Sequence, residues 1–352
     1  MSENFFININ EQTLFKVLNK MLNTDIINAD YQATTLHGGT LGDVRLVTGT
    51  AITGPGEKLP FSVVLKIQKK WERYADPGSW RREYDLYKSD LGEYFTENFR
   101  WPDCYHAEIN EAEDEIQLWL QYIDGISGLN LTKEMYENAA YELGRFQGRL
   151  YCEKPNLLQK LTNLSDTGYM KKFYHHYRSW PVVYDYIRAD NCEIPPHLCQ
   201  MLINVDENSA EIFNLVEKLP VVFCHRDFWV TNIIYANEKF YLIDWDTTGW
   251  GYLGEDIASL IADEADVTSM VEYYYCCVPT YYKGFSEYAG ISHFARNYVL
   301  EMVLLLFGYR LIEWYLNAGS AAEKNLQLET LQKIYEMGKT ALALSHLEDE
   351  ND

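Results

Sequence analysis

The sequence predicts an α+β protein of two lobes: a smaller N-terminal lobe built on an antiparallel sheet and a larger, mainly helical C-terminal lobe. Runs of alternating or β-branched residues crowd the first 123 residues, whereas apolar residues at helical spacing dominate the rest. A length of 352 residues is enough for two such lobes with a real core. We therefore expect an N-terminal lobe over residues 1–123 and a C-terminal lobe over residues 124–352.

The N-terminal lobe is expected to begin with a helix capped by Asn10. Its apolar side chains fall on one helical face: Leu14, Val17, Leu18, Met21 and Leu22. Three strand-like runs follow, at residues 31–36, 44–48 and 61–68. A glycine-rich joint over residues 37–43 connects the first two runs, so the sequence predicts antiparallel neighbours.

This glycine-rich joint is a candidate phosphate site. The backbone N–H groups of Gly38 and Gly39 could close over phosphates, and Thr40 offers a hydroxyl. A plain hairpin turn would have the same composition, and both interpretations stay open. No Gly-Lys-Ser/Thr sequence follows, which excludes a Walker A loop.

Lys66 lies in the third strand-like run, and alternation puts it on one face with Val64 and Gln68. A lysine in this place either extends to solvent or binds an anion, and we favour the α- and β-phosphates of a nucleotide. Glu83 lies one turn into a helix predicted to start near Ser79, and it could pair with Lys66. An ordinary surface acid is the alternative for Glu83, with Glu72 as a second candidate partner.

The runs 104–109 and 115–123 read as a hairpin that leads directly into the helical part. Gln121, Tyr122 and Ile123 would form the connector between the lobes. From this position we expect their backbone to contact a nucleobase.

The stretch 220–244 carries the strongest functional pattern. It reads as a strand, the polar loop HRDFWVTN, and a short hairpin, which places Asp227, Asn232 and Asp244 at loop ends. Phosphoryl transfer needs a carboxylate that accepts the hydroxyl proton, and an amide and a second carboxylate that hold Mg²⁺. Asp227 would be the base, Asn232 and Asp244 the metal ligands, and His225 a buried brace. A chance pattern among surface turns is the alternative.

Composition and charge narrow the class of protein and the kinds of ligand expected. The longest apolar run, residues 302–307, is too short to span a bilayer, and residues 1–6 lack the order of a signal peptide, so we expect a soluble, cytoplasmic protein without a membrane partner. The formal charge of −22 opposes nucleic-acid binding and favours cationic small molecules. Seven cysteines without a C-x-x-C pair predict reduced thiols, mostly in the core.

The order of these parts resembles the aminoglycoside phosphotransferase and choline kinase-like family, which has the protein-kinase-like fold. The resemblance covers residues 36–264 and is most specific in HRDFWVTN, IDWD and GYLGEDIASL. It implies binding of ATP or GTP through Lys66 and Glu83, a base at Asp227, and Mg²⁺ at Asn232 and Asp244. It also implies that Asp256 braces the catalytic loop.

Two departures from the family pattern concern the catalytic loop and the metal-binding strand. Many members have Gly where this chain has Arg226, and Pro-Gly where it has Val230 and Thr231. The sequence Asp244-Trp245-Asp246 stands in place of Asp-Phe-Gly, which favours a small-molecule kinase over a protein kinase.

We therefore expect Mg²⁺-dependent transfer of a nucleotide γ-phosphate to a hydroxyl of a small, cationic acceptor. The expected enzyme is aminoglycoside phosphotransferase-like. A choline- or ethanolamine-type kinase is one alternative, and a nucleotide-binding pseudokinase that serves as a scaffold is another. We expect four acids after the metal-binding strand to attract the acceptor: Glu255, Asp263, Glu264 and Asp266. Aromatic residues of the C-terminal lobe would either cage a cation or pack the helices. The oligomeric state is left open.

Overall fold

The computed structural model describes residues 9–36, 42–71, 76–153, 160–178, 180–262, 267–290 and 297–349. Among these residues, no helix has both the length and the apolar character needed to cross a membrane. The seven cysteines are free thiols, of which Cys199, Cys224 and Cys277 are buried and Cys152 is exposed.

The N-terminal lobe is a five-stranded antiparallel sheet covered by a helix. The strands run in the order β1-β2-β3-β6-β5. Their bounds are β1 Ile26–Thr35, β2 Asp43–Thr53, β3 Lys58–Lys69, β5 Cys104–Asn110 and β6 Glu115–Gln121. Helix α1, Glu11–Leu22, is capped by Asn10, whose side chain accepts hydrogen bonds from the backbone N–H groups of Gln12 and Thr13. Its apolar face packs with the sheet residues Val47, Val63, Leu65 and Trp119.

The first three strands are longer than the sequence runs predicted. β1 begins at Ile26, five residues before the predicted start at 31, because residues 26–30 pair with the far end of β2 while most of their side chains face solvent. Backbone hydrogen bonds can extend a strand into residues whose sequence shows no hydrophobic alternation. Conversely, β6 is shorter than the predicted run 115–123. It ends at Gln121, so Tyr122 and Ile123 lie beyond the sheet.

Two small sheets lie under the catalytic loop. The first has the order β4-β10-β9-β7, and the second pairs β8 with β11. Their bounds are β4 Phe99–Arg100, β7 Ile126–Ser127, β8 Val221–Cys224, β9 Ile233–Ala236, β10 Lys239–Leu242 and β11 Gly249–Tyr252. Strand β4 precedes residue 123 but pairs with β10, which follows it by more than a hundred residues. The division of the chain at residue 123 stays a prediction.

Helices make up most of the C-terminal lobe. The helices are α2 Ser79–Tyr87, α3 Lys133–Glu153, α4 Tyr169–Arg178, α5 Pro181–Tyr186, α6 Pro196–Glu207, α7 Ser209–Val216, α8 Glu255–Ala262, α9 Val267–Ala289, α10 Val299–Asn317 and α11 Ala321–Asp349. Of these, α2 precedes residue 123 and packs on both β5 and the segment after β10.

Helices α3 and α9 cross with their backbones in contact. A Cβ atom added at Gly144 would lie 2.1 Å from the carbonyl oxygen of Tyr281, and one at Gly284 would lie 2.1 Å from that of Tyr141. Both distances are far below a van der Waals contact. Glycine is therefore required at this crossing because no side chain fits between the two helices.

Candidate active site

The catalytic loop begins where β8 ends. His225 is 1% exposed, and its Nε2–H donates to the carbonyl oxygen of Ile243 at 3.0 Å. Its Nδ1 accepts from the backbone N–H of Asp227 at 3.2 Å. Burial lowers the pKa of His225 to about 4, so the ring is neutral at pH 7. The ring thus joins the catalytic loop to the strand end that carries Asp244.

Asp256, in the first turn of α8, holds the same loop from the other side. Its two carboxylate oxygens accept the backbone N–H groups of His225 at 2.9 Å and Arg226 at 2.6 Å. The side chain of Gln147 on α3 adds a third donor at 2.8 Å. Burial raises the pKa of the Asp256 carboxyl to about 7, although the two backbone N–H donors oppose that rise. These contacts are the brace that the family resemblance implied.

Asp227 and Asn232 are directly bonded. The Nδ2 of Asn232 donates to the Asp227 carbonyl oxygen at 3.0 Å and to its Oδ2 at 2.8 Å. This use of the nitrogen leaves Oδ1 as the amide atom that a cation would contact. The backbone N–H of Ile243 donates to the Asn232 carbonyl oxygen at 3.0 Å, and Asp244 is the next residue. The structure therefore brings Asp227, Asn232 and Asp244 to one place.

Lys66 lies between two carboxylates. Its Nζ is 2.6 Å from Glu83 Oε2 and 2.6 Å from Asp244 Oδ1. Burial alone would lower the pKa of Lys66, but the charges of Asp244 and Glu83 outweigh it and hold that pKa above its usual value. Of the two candidate partners, the structure shows Glu83 in contact, and it buries this side chain within α2.

The charge balance of this cluster suits a divalent cation. Lys66 supplies one positive charge, whereas Glu83, Asp244 and Asp246 all act on it as negative charges. The Asp244 side chain is 38% exposed and can reach a ligand. Mg²⁺ is typically held by one or two carboxylates and completes its octahedron with phosphate oxygens and water. The carboxylate of Asp244 and the Oδ1 of Asn232 fit that donor set.

The connector predicted to meet a nucleobase begins at the end of β6. Gln121 pairs with Val63 on β3, three residues from Lys66. At 3.3 Å per residue, that places it about 10 Å from Lys66 along the sheet. Its backbone N–H donates to the carbonyl oxygen of Asp103 at 2.8 Å. Tyr122 and Ile123 follow as half-buried residues outside the strand.

Several sequence predictions fall on residues outside the described ranges. These are Gly38, Gly39 and Thr40 of the glycine-rich joint, Glu72, and the acids Asp263, Glu264 and Asp266. The fourth acid of that group, Glu255, is described, and the expectation for it was wrong. It is 4% exposed and forms a 3.0 Å ion pair with Arg226, so it cannot attract a distant acceptor.

Five of the C-terminal aromatic residues considered for a cation cage are core residues. Tyr174 and Tyr281 are at most 1% exposed, and Tyr273, Tyr274 and Tyr315 are at most 9% exposed. Helix packing, the alternative that the sequence left open, accounts for all five.

Two arginines in contact with the site were given no role by the sequence. Arg82 is 1% exposed and donates to the carbonyl oxygen of Asp246 at 2.6 Å, besides its buried ion pair with Asp76. Arg226 has a backbone φ of 66°, a left-handed conformation that favours glycine. Each arginine immediately precedes a predicted site acid, Glu83 or Asp227, in the sequence. This adjacency is the sequence feature that could have indicated their contact with the site.

Comparison with known proteins identifies the family of the region that holds the catalytic loop. The sequence pattern of the phosphotransferase enzyme family matches residues 102–275, which include the catalytic loop and Asp244. This region belongs to that family. Ethanolamine kinase 2 of Rattus norvegicus is 33% identical over 107 residues, a match that covers 28% of this chain and 27% of the relative. The match thus spans about a quarter of the length of that relative.

Solved structures of similar fold extend over nearly the whole chain. A choline kinase from Cryptosporidium parvum Iowa II superposes with a TM-score of 0.56 at 14% identity, covering 96% of this chain and 99% of that one. The amicoumacin kinase hAmiN, in complex with AMP-PNP, Ca²⁺ and Ami, gives 0.51 at 13% identity, covering 93% and 94%. These likenesses confirm the predicted α+β, two-lobed, protein-kinase-like fold.

Proposed function

We propose that this protein is a Mg²⁺-dependent phosphotransferase that moves the γ-phosphate of ATP or GTP to a hydroxyl of a small, cationic molecule. One observation carries the proposal. The bonded pair Asp227–Asn232 lies next to the Lys66–Glu83–Asp244 cluster, so a proton acceptor, a metal-binding pair and a phosphate-binding lysine share one site.

Each residue would have a defined part in the transfer. Asp227 accepts the proton of the acceptor hydroxyl, whose oxygen forms a bond to the γ-phosphorus. The bond from that phosphorus to the β–γ bridging oxygen breaks, and the nucleoside diphosphate leaves with the electron pair. Asn232 and Asp244 would hold Mg²⁺, which would neutralise phosphate charge. Lys66, oriented by Glu83, binds the α- and β-phosphates, which then take the place of Asp244 at its ammonium group.

An amino alcohol is the second candidate acceptor, and the match to ethanolamine kinase 2 favours it. The formal charge of −22 supports a cationic acceptor of either kind. The remaining alternative is a nucleotide-binding scaffold without turnover. The presence of Asp227, Asn232 and Asp244 together argues for catalysis, because binding alone does not need the proton acceptor.

A direct test measures acceptor-stimulated release of nucleoside diphosphate, with ATP and GTP each supplied with Mg²⁺. Ethanolamine, choline, an aminoglycoside set and neutral sugars serve as acceptors, and phosphorus NMR identifies any phosphorylated product. We expect at least one amine to give product. Nucleotide binding without turnover for every acceptor would support the scaffold, and faster turnover of a neutral sugar would overturn the cationic acceptor.

A further inference from the structure

A short segment, residues 163–169, lies between the catalytic loop and helix α2, and we call it the bridging segment. It runs beside β11: Ser165 forms a parallel bridge with Gly249, and its carbonyl oxygen accepts the backbone N–H of Trp250 at 2.9 Å. A Cβ atom at Gly249 would lie 2.1 Å from Ser165 Oγ, so glycine permits this close approach. The segment is thus fixed to the sheet that begins the catalytic loop.

Arg226 fastens the catalytic loop to this segment. Its side chain is 2% exposed, and its guanidinium ion pairs with Glu255 at 3.0 Å. The same group donates to the Ser165 hydroxyl and to the carbonyl oxygens of Asp166, at 3.0 Å, and Trp250. It also lies 4.6 Å from the centre of the Tyr169 ring. A planar fork of five donors makes such a set of contacts, which a lysine cannot reproduce.

Arg82 fastens helix α2 to the same segment from the opposite side. Its Nε donates to the carbonyl oxygen of Asn163 at 2.7 Å. The Asn163 side chain in turn donates to Asp85 Oδ2, also on α2, at 3.0 Å. The neighbour of Arg82 in sequence is Glu83, which pairs with Lys66. The bridging segment therefore touches both the loop of Asp227 and the helix of Glu83.

We propose that Arg226 is a positioning residue for Asp227: it fixes the catalytic loop against the bridging segment and thereby sets the base relative to the helix that carries Glu83. The proposal rests on the proposed phosphotransferase function. The left-handed backbone at Arg226 is unfavourable for a residue other than glycine, and the buried contacts of the guanidinium offset that strain. A displacement of the base by about 1 Å is enough to reduce turnover about 100-fold.

The variant Arg226→Lys keeps the positive charge and removes the planar guanidinium group with its five N–H donors. We expect kcat to fall about 10- to 100-fold, while the nucleotide Kd changes by less than about twofold because no phosphate-binding residue is altered. The matched control is Arg188→Lys. Arg188 also pairs with a buried carboxylate, Asp206 at 3.0 Å, and stacks on Tyr184 at 3.7 Å, but its partners lie in α5 and α6. The control should change the unfolding temperature and leave kcat as in the parent.

A second variant, Ser165→Ala, removes one contact of Arg226, together with the hydrogen bonds of the same hydroxyl to the carbonyl oxygens of Thr247 and Thr248. It should lower kcat by a few-fold, and its effect should not add to that of Arg226→Lys, because the two residues share one contact. Unchanged kcat in folded Arg226→Lys overturns the proposal, as do additive effects of the two variants. If Arg226→Lys does not fold, Ser165→Ala decides alone: reduced kcat with unchanged nucleotide Kd supports the proposal, and parental kcat overturns it.

Hydrogen exchange gives a readout that needs no acceptor. In Arg226→Lys, amides of residues 225–232 and 163–169 should exchange about tenfold faster, whereas those of α10 should exchange as in the parent. Parental rates in both segments overturn the coupling. If the parent protein transfers no phosphate to any acceptor, the proposed function fails, and these exchange rates still decide whether Arg226 holds the two segments together.

Discussion

Two acid–base clusters in this protein differ in their balance of charge and in their exposure to solvent. Around Asp206, Tyr174 donates to Oδ1 at 2.8 Å and Arg188 to Oδ2 at 3.0 Å, so one carboxylate meets one guanidinium. Around Lys66, one ammonium contacts the carboxylates of Glu83 and Asp244 and lies within the field of a third, Asp246. The Asp244 side chain is 38% exposed, against 1% for Asp206. A balanced, enclosed cluster stabilises a fold. An unbalanced cluster that opens to solvent is suited to bind a charged ligand.

The variant Asp227→Asn tests whether the site around the Lys66 cluster is catalytic, and it has the largest expected effect. We expect turnover to fall by about 10³-fold or more because the proton acceptor is lost, while the nucleotide Kd stays near the parental value. The new side-chain oxygen can still accept from Asn232, so the loop should keep its form. Steady-state kinetics and calorimetric nucleotide titration make the measurement. An equal loss of nucleotide affinity would contradict the role as base.

Asp244→Ala tests whether the unbalanced charge serves a cation. It should weaken Mg²⁺-dependent nucleotide binding by about 100-fold, and Asn232→Ala by about 10-fold, because a carboxylate neutralises metal charge and an amide only ligates. Titration of nucleotide with Mg²⁺ and with EDTA measures both. The parent in EDTA should bind nucleotide as weakly as Asp244→Ala. If both variants titrate like the parent in Mg²⁺, the metal site lies elsewhere.

Asp206→Asn tests the cluster around Asp206 by removing its carboxylate charge, as Asp227→Asn does in the candidate active site. It leaves Arg188 without its carboxylate, and we expect a loss of about 2 kcal/mol in the free energy of unfolding, at the low end for a broken pair because Arg188 reaches solvent. Turnover per folded molecule should stay parental, as shown by kinetics beside denaturant unfolding. Lower kcat in the folded variant would mean that the two clusters are not separate in function.

His225 provides a pH test within the catalytic loop. Its pKa in the folded protein, about 4, lies below the ordinary 6.5, so its contribution is present above pH 6.5 and is lost as pH falls toward 4. The free energy of unfolding should fall by up to about 3 kcal/mol more in the parent than in His225→Gln over that interval. Asp256 acts in the opposite sense, since its raised pKa favours the folded state at low pH, but both proteins retain it. Parallel curves would show that His225 is not held neutral by burial.

Sequence reasoning reached the centre of the site and two of its braces, His225 and Asp256, but it gave no role to the supporting arginines Arg82 and Arg226. Alternation along one strand and the first turn of a helix predicted the pairing of Lys66 with Glu83, which the structure shows at 2.6 Å. Short-range patterns such as these leave a periodic trace. The contact between Arg226 and Glu255 leaves none, because 29 residues separate them and only the fold brings them together. Glu255 was therefore mistaken for a surface acid.

The same limit applies to the fold. Long helices such as α3 and α10 carry apolar residues at helical spacing over many turns, and this pattern predicted a helical C-terminal lobe. Strand β4 has two residues, and it forms only because β10 offers it a partner. A sequence window has no pattern from which to detect such a strand.

The contact between α3 and α9 has a consequence for the accuracy of the catalytic loop. Gln147 lies on α3 between Gly144 and Gly148, and its side chain binds the carbonyl oxygen of Phe223 at 3.0 Å as well as Asp256. Side chains can rotate to absorb small errors of packing, but two touching backbones cannot approach further. The backbone contact between α3 and α9 therefore fixes how closely Gln147 approaches the start of the catalytic loop. Thermal rearrangement of side chains does not change this distance.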